Sequence, residues 1–446
     1  MSKIVIAGGG LCGSLLGTYL AQNNHQVIVL EKRSDVRLGT AEAGRSINLA
    51  LSSRGIKALN LIGFGKELAE ISIPMPVRCL HQKDGSINLV PYSGRQGEYI
   101  NSISRSGLNA VLLNYLERNK EVELKFNSEV HKVDYDSNEI HYKDISGSHS
   151  LSYDFLFGTD GAGSIVRQDL FNLKLEEQKI DISFLDYGYK ELHIEPTNDG
   201  GFAIEKNALH IWPRGQFMMI ALPNLDGSFT MTLFLPLKGP NSFEEIDNTI
   251  GITTYFQQNF PDILDKIPSL EEQYAKNPIG PLGTVKCSPW NYRNTCLFGD
   301  AAHAITPFYG QGMNCAFEDV LFLSELIGQN NRLSESTLEL FASQRKVNGD
   351  AIADLAIDNF YEMRDHTANP IFLRKRQLET ALEKNFQDYF SKYSMVTFRP
   401  DINYNEAMVK GRIQDEWLMD YCSNNILNLD NLNDTYVKLN NYLKQG

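Results

Sequence analysis

"KIVIAGGGLCGSLLGTYLAQNNHQVIVLEKR", residues 3–33, is the stretch that decides the fold. Ile4 to Ala7 is a short β-branched run of the kind that forms a buried parallel strand. It leads directly into Gly8, Gly10 and Gly13, spaced G-x-G-x-x-G. The first glycine permits a tight turn, the second lets a pyrophosphate approach the backbone, and the third lets helix and strand pack closely. Leu15, Leu16, Tyr19 and Leu20 then give a helix its apolar face, and "NNH" ends it. Val27 to Leu30 is a second strand closing on Glu31, where an acid accepts hydrogen bonds from a ribose diol. Strand, helix, strand and acid fall in register, which predicts a dinucleotide-binding βαβ unit. The motif alone does not separate FAD from NAD.

"CLFGDAAHAITPFYGQGMN", residues 296–314, separates them. A strand ends at Phe298, Gly299 and Asp300 follow, and "GQGMN" opens an apolar helix. Gly310 and Gly312, with Met313 and Asn314 behind them, free the backbone at a helix N-terminus, where unpaired N–H groups and the dipole favour an anion or a polarised carbonyl. Asp300 can accept from a sugar-chain hydroxyl. Such a pair, so far from the first glycines, suits a ligand with a nucleotide and a long ribityl-isoalloxazine arm, which NAD lacks. Between the two, "YDFLFGTDGAGSIVRQDLF" (residues 153–171) predicts a strand, Asp160-Gly161 and a helix carrying Arg167: a third contact for flavin or a transient nicotinamide cofactor. His303 reads as a structural loop residue, not a base.

Composition limits the partners. The 446 residues carry a formal net charge of −13, which excludes nucleic acid or an anionic membrane as the main partner. Six cysteines are scattered without a CxxC pair or a zinc-like histidine spacing, so no metal is expected and a reduced cytoplasmic setting fits. No basic-then-apolar leader opens the sequence and no apolar run is long enough to span a membrane. There is no G-x-S-x-G elbow to suggest a hydrolase.

The three glycine-and-acid stretches, in this order and spacing, resemble the single-component flavin-dependent aromatic hydroxylases, the family of para-hydroxybenzoate hydroxylase. The resemblance implies an α/β fold with an α+β insert: a Rossmann-like FAD domain interleaved with a β-sheet substrate domain, followed by a helical C-terminal part. Within that family, "GRSINLALSSRG" (44–55), "GYKEL" (188–192), "NALHIWPRG" (207–215), "MMIALPNLDGSFTMTLFLP" (218–236), "PFYGQGMNCAFED" (307–319) and "YSMVTF" (393–398) look like the kynurenine 3-monooxygenase family along most of the chain. Two departures stand out. Tyr309 occupies a position where some relatives carry histidine, and the C-terminal membrane segment of mitochondrial members is absent.

What the resemblance implies is a hydroxylation of L-kynurenine to 3-hydroxykynurenine with tightly bound FAD, NADPH as transient reductant and O₂ as co-substrate. A hydroperoxide at flavin C4a carries that chemistry, so no acid–base residue is required and the protein supplies position and a dry cavity. Arg78 is then the candidate for the substrate carboxylate, which a guanidinium meets bidentately, and Tyr92 adds a hydroxyl. Asn359 and Tyr393 fall at the same end of the pocket, and Phe308 and Met363 line it. Arg45 and Arg105 counter phosphate charge near FAD or along the NADPH path. "NLAL" (48–51) lies beside the flavin ring with Ala50 or Leu51 near the substrate, and Arg54 caps a helix or faces solvent.

The expected organisation is 1–72, 103–180 and 281–330 for FAD, 73–102 and 181–280 for the substrate sheet, and a helical 331–446. "FLRKRQ" (372–377) reads as a solvated helix face and the tail as a surface helix. A homodimer is left open. Two other readings stand beside this one: a hydroxylase of another small aromatic acid on the same fold, and a flavin-binding sensor without turnover.

Overall fold

The structure is a computed structural model that describes residues 1–39, 48–330, 332–363 and 369–444. The chain divides into two compact units. The first comprises residues 1–71, 103–183 and 283–353; the second comprises 72–102, 184–282 and 354–446.

In the first unit, the strand Lys3–Ala7 lies inside a six-stranded sheet between Gln26–Leu30 and Phe155–Gly158, parallel to both. Thr295–Leu297 continues the parallel set beyond Phe155–Gly158, and Val122–Lys125 beyond Gln26–Leu30. Ile4 to Ala7 and Val27 to Leu30 are fully buried, as expected of strands covered on both faces. Register then does the positioning. Ala7 pairs with both Leu30 and Gly158, and Gly158 pairs with Leu297. The Gly8 turn, Glu31, Asp160 and Gly299 therefore leave the sheet at one carboxyl edge, where ligands bind in open α/β sheets. The helix Leu11–Gln22 packs against Arg105–Glu117 and Gly312–Asn330. The three long motif stretches thus form the predicted α/β core.

"NLAL" departs from the helix-like pattern of its surroundings: Asn48–Leu51 is a strand, and the helix starts after it, at Ser53–Asn60. Long-range pairing overrides the local apolar spacing here. Leu51 is fully buried, so of the two residues placed near the substrate only Ala50 keeps an exposed surface.

The second unit is built on a seven-stranded sheet in the order Gly280–Ser288, Lys179–Ile194, Phe229–Pro236, Met218–Pro223, Ala208–Pro213, Val77–His81 and Ile87–Pro91. Alternation divides its residues between two faces. Trp212, Met219, Met231 and Leu233 share one face and pack against Tyr255, Phe256 and Phe260. Cys79 pairs with His210 in the parallel ladder of Val77–His81 and Ala208–Pro213, and Arg78 points to the opposite face. The helices Pro370–Asn385, Tyr404–Asn424 and Leu432–Leu443 gather Leu378, Leu382, Leu418 and Leu439 into a further core. The tail is thus partly core, with Leu432, Thr435 and Leu439 buried.

The charge run 372–377 is not a solvated face. Lys375 is buried and bridges Asp415 and Glu379, while Arg376 also meets Glu379. Paired charges are tolerated inside where single ones are not. Among the described residues no helix is long and apolar enough to cross a membrane.

Candidate active site

The glycine turn has the geometry its spacing requires. Gly8 adopts φ +105°, and a Cβ there would lie 2.5 Å from the Thr159 carbonyl oxygen. A Cβ at Gly13 would lie 2.0 Å from the carbonyl oxygen of Gly8. In front of Gly10, by contrast, there is open space within 4 Å. The helix Leu11–Gln22 has no side-chain cap and no acid in its first turn, so its leading N–H groups face that space as anion donors. Glu31 closes the turn: one carboxylate oxygen accepts from the Gly9 N–H (2.8 Å), the other from the Arg33 backbone and side chain. Burial pushes its carboxyl up, but Arg33 and the Gly9 N–H more than reverse this. Further lone pairs remain for a ribose.

The other two motif loops are tied to this turn. Thr159 donates to the carbonyls of Ala7 and Gly8. Asp160 spends one oxygen on the N–H groups of Ile165 and Val166; the other oxygen is buried without a partner. Arg167 links the segments, donating to the Ala162 and Ala301 carbonyls. Asp300 is exposed at the start of Asp300–His303.

Gly310 stands at φ +66° just before the helix Gly312–Asn330. Met313 is half-buried, while Asn314 is fully buried and uses its amide as a clamp. It accepts from the Ser52 N–H (2.9 Å) and donates to the carbonyls of Ala50 and Gly310. The Asn314 side chain therefore holds "NLAL" against the helix start. Phe308 and Tyr309 are both buried in the turn Pro307–Tyr309. Arg105 is the exposed first residue of Arg105–Glu117, behind the Ser104 cap. Arg45 lies outside the described residues.

Behind the loops runs a buried charge chain that sequence reasoning did not find. Arg54 neither caps nor faces solvent: it is fully buried and pairs with Glu318 at 2.5 Å. Glu318 meets Arg345, Arg345 meets Asp319, and Asp319 accepts from His303 (2.6 Å) and the Gly299 N–H (3.1 Å). Burial raises the Asp319 carboxyl, yet His303 and Arg345 hold it below the usual carboxylate range. His303, which burial would make less basic, is raised well above its ordinary value by Asp319. It is a counter-ion, not a base. The available signal was two adjacent acids, Glu318-Asp319, inside the apolar run 316–323.

In the second unit, Arg78, Tyr92 and Tyr393 come together. The guanidinium lies 4.4 Å from the Tyr92 ring centroid and 4.3 Å from that of Tyr393, and the two rings are nearly parallel. Among the described residues Arg78 has no hydrogen bond or ion pair. The Tyr92 hydroxyl is buried without a partner among the described residues, and burial raises its pKa well above the ordinary value. Asn359 donates to the Met363 sulfur at 3.5 Å, a weak acceptor. Met363 also lines an apolar cleft with Tyr187, Phe217, Met218, Phe234 and Phe360.

A parallel sheet with a glycine turn, an acid at the second strand end and a glycine-opened helix at its carboxyl edge is the architecture of an FAD-binding unit. The family model described as "FAD binding domain" matches residues 1–356. The chain is 43% identical over 416 residues to the kynurenine 3-monooxygenase of Myxococcus xanthus (strain DK1622), covering 92% of this chain and 89% of that protein. It is 40% identical over 424 residues to that of Legionella pneumophila (strain Corby), covering 95% and 94%. In fold it is similar to 2-methyl-3-hydroxypyridine-5-carboxylic acid oxygenase, with a TM-score of 0.68 at 20% identity over 90% of this chain and 97% of that one. The chain belongs to the kynurenine 3-monooxygenase family.

Proposed function

We propose that this chain hydroxylates L-kynurenine to 3-hydroxykynurenine, with NADPH as reductant and O₂ as co-substrate. The observation that carries this reading is the Arg78 guanidinium, which packs against two aromatic rings without a hydrogen bond or ion pair among the described residues, beside a Tyr92 hydroxyl that is likewise without a partner among them. A buried donor without a partner costs about 1–3 kcal/mol, so such a pair persists where a ligand completes it. An α-carboxylate does so: Arg78 holds it bidentately, and the Tyr92 O–H donates to it. Tyr393 packs against the guanidinium, and Asn359 serves the amino-acid end. Met363 supplies apolar surface for the ring.

FAD fits the first unit on the open face at Gly10, the uncapped helix start and the partnerless Asp160 oxygen. When bound, FAD supplies reduction by NADPH and activation of O₂ for transfer of one oxygen atom to an aromatic ring. Gly8, Gly10 and Gly13 would cradle the pyrophosphate, with Glu31 on the ribose. Asp160 and Asp300 would meet the ribityl chain, and Gly310, Gly312 and Met313 the ring. Arg105 and Arg45 would counter phosphate charge. The first unit is then the FAD unit and the second the substrate unit. Six free cysteines suit a reducing, cytoplasmic setting.

The test is NADPH oxidation by the FAD-loaded chain with and without L-kynurenine, together with detection of 3-hydroxykynurenine. Stimulation with product is expected. No stimulation and no product would contradict the reading.

A further inference from the structure

Two buried clusters bring cysteine, histidine and carboxylate groups together. In His303, Cys315 and Asp319 the acid is already neutralised by Arg345 and His303, so a further cation would meet a guanidinium. In the second cluster, in the substrate-sheet unit, no cation is paired with the ligand atoms among the described residues, and the nearby Arg214 guanidinium donates to the His81 carbonyl. Cys79, His81 and His210 are almost fully buried, and their ligand atoms lie within 4.8 Å of one another. Cys79 and His81 alternate along Val77–His81, and the register sets His210 directly opposite Cys79, so all three project from one face.

We propose that Cys79, His81 and His210 form a binding site for a thiophilic transition-metal cation, with Zn²⁺ the ion that fits the donors best. The tautomers point there. His81 Nδ1 meets the Asp262 carboxylate at 3.0 Å, and His210 Nε2 meets the Glu205 carbonyl at 2.7 Å. An acceptor at each of those nitrogens fixes the proton there, which leaves lone pairs on His81 Nε2 and His210 Nδ1. Those two atoms face each other at 2.8 Å. Two lone pairs at that distance require one cation between them, a proton or a metal. Carboxylate and carbonyl acceptors behind the ring nitrogens are the outer-shell arrangement that orients histidine ligands, and Trp212 fixes the site further by stacking on His81 and donating to Asp262.

Distances agree with the donor set. Zn–N bonds of about 2.0–2.1 Å and a Zn–S bond of about 2.3 Å place tetrahedral N···S neighbours about 3.6 Å and N···N neighbours about 3.3 Å apart. Cys79 Sγ already stands 3.5 Å from His81 Nε2, and the two ring nitrogens would separate by about half an ångström on those bond lengths. Burial makes the Cys79 thiol less acidic and the His210 ring less basic, down to about 4. Binding forms the Zn–S bond as the thiol proton leaves to solvent, and any proton shared by the two rings leaves with it. No electron is transferred. The site occupies the reverse face of the strand that carries Arg78.

The FAD-loaded full chain, stripped with a chelator and dialysed against Zn²⁺, is expected to retain one equivalent. Cys79→Ser and His210→Gln should retain none at unchanged flavin content, and Asp262→Asn should bind about 10–100-fold more weakly. Co²⁺ added to the unaltered chain should give tetrahedral thiolate-ligated absorption to the red of the flavin bands, a reading that stands even where a variant fails to fold. No retained Zn²⁺ in the unaltered chain, equal retention in Cys79→Ser, or no such cobalt bands would overturn the proposal and leave a shared proton as the occupant.

Discussion

Arg54 and Arg78 are treated in opposite ways. Arg54, in the first unit, is fully buried and closes a chain of alternating charges through Glu318, Arg345, Asp319 and His303. Arg78, in the second, is half-buried against two tyrosine rings and has no hydrogen bond or ion pair among the described residues. Burying a charge is tolerated when a partner is built in. The first arginine is therefore scaffold: its chain anchors the Gly299 N–H and the helix behind the motif loops. The second, on the proposed reading, keeps its five donors for the substrate carboxylate. The difference between a structural and a ligand-binding cation lies in partners, not in residue type.

Exchanging the two roles is the sharpest way to break that contrast. Arg54→Met should lower folding stability by about 3–5 kcal/mol, because Glu318 is left near the core with one cation fewer; denaturant unfolding measures it. A loss under about 1 kcal/mol would place Arg54 among weak surface pairs. The same network sets an acid limit. Asp319 titrates below its unfolded value near 3.9, so its contribution is present at neutral pH and disappears as pH falls below about 4. Asp319→Asn should flatten that part of the stability–pH profile. His303, raised instead, contributes below its unfolded value near 6.5 and loses that contribution only as pH rises through its raised one.

Arg78→Ala comes next, with L-kynurenine binding weaker by about 2–4 kcal/mol, unchanged FAD content and near-unchanged stability. Flavin loss in that variant would make Arg78 structural too. Tyr92→Phe should be the mildest change. It removes a hydroxyl with no partner among the described residues, so stability should hold or rise slightly, while kynurenine affinity falls by about 0.5–1.5 kcal/mol, read by titration.

What the sequence revealed and what it hid follow from separation along the chain. The glycine turn, Glu31 and the apolar strands are local signals, and each motif stretch carries its own geometry. Arg54 looked like a cap because its partner stands 264 residues away. Lys375 looked solvated because Asp415, on another helix, is invisible to local pattern. Asn314, expected at the cofactor, uses its side-chain amide on the backbone of Ala50, Ser52 and Gly310. Cys79 and His81 had no zinc-like spacing because their third partner, His210, lies 129 residues beyond His81 on a parallel neighbour strand. Pairing across sheets and between helices, not motif spacing, made these contacts.

The most direct measurement compares L-kynurenine with the corresponding amine that lacks the α-carboxylate, binding each to the FAD-loaded chain and to Arg78→Ala. With Arg78 present the acid should bind tighter by about 30–1,000-fold, the equivalent of about 2–4 kcal/mol, and in Arg78→Ala that preference should collapse toward unity. An undiminished preference in Arg78→Ala would contradict the assignment of Arg78 to the substrate carboxylate.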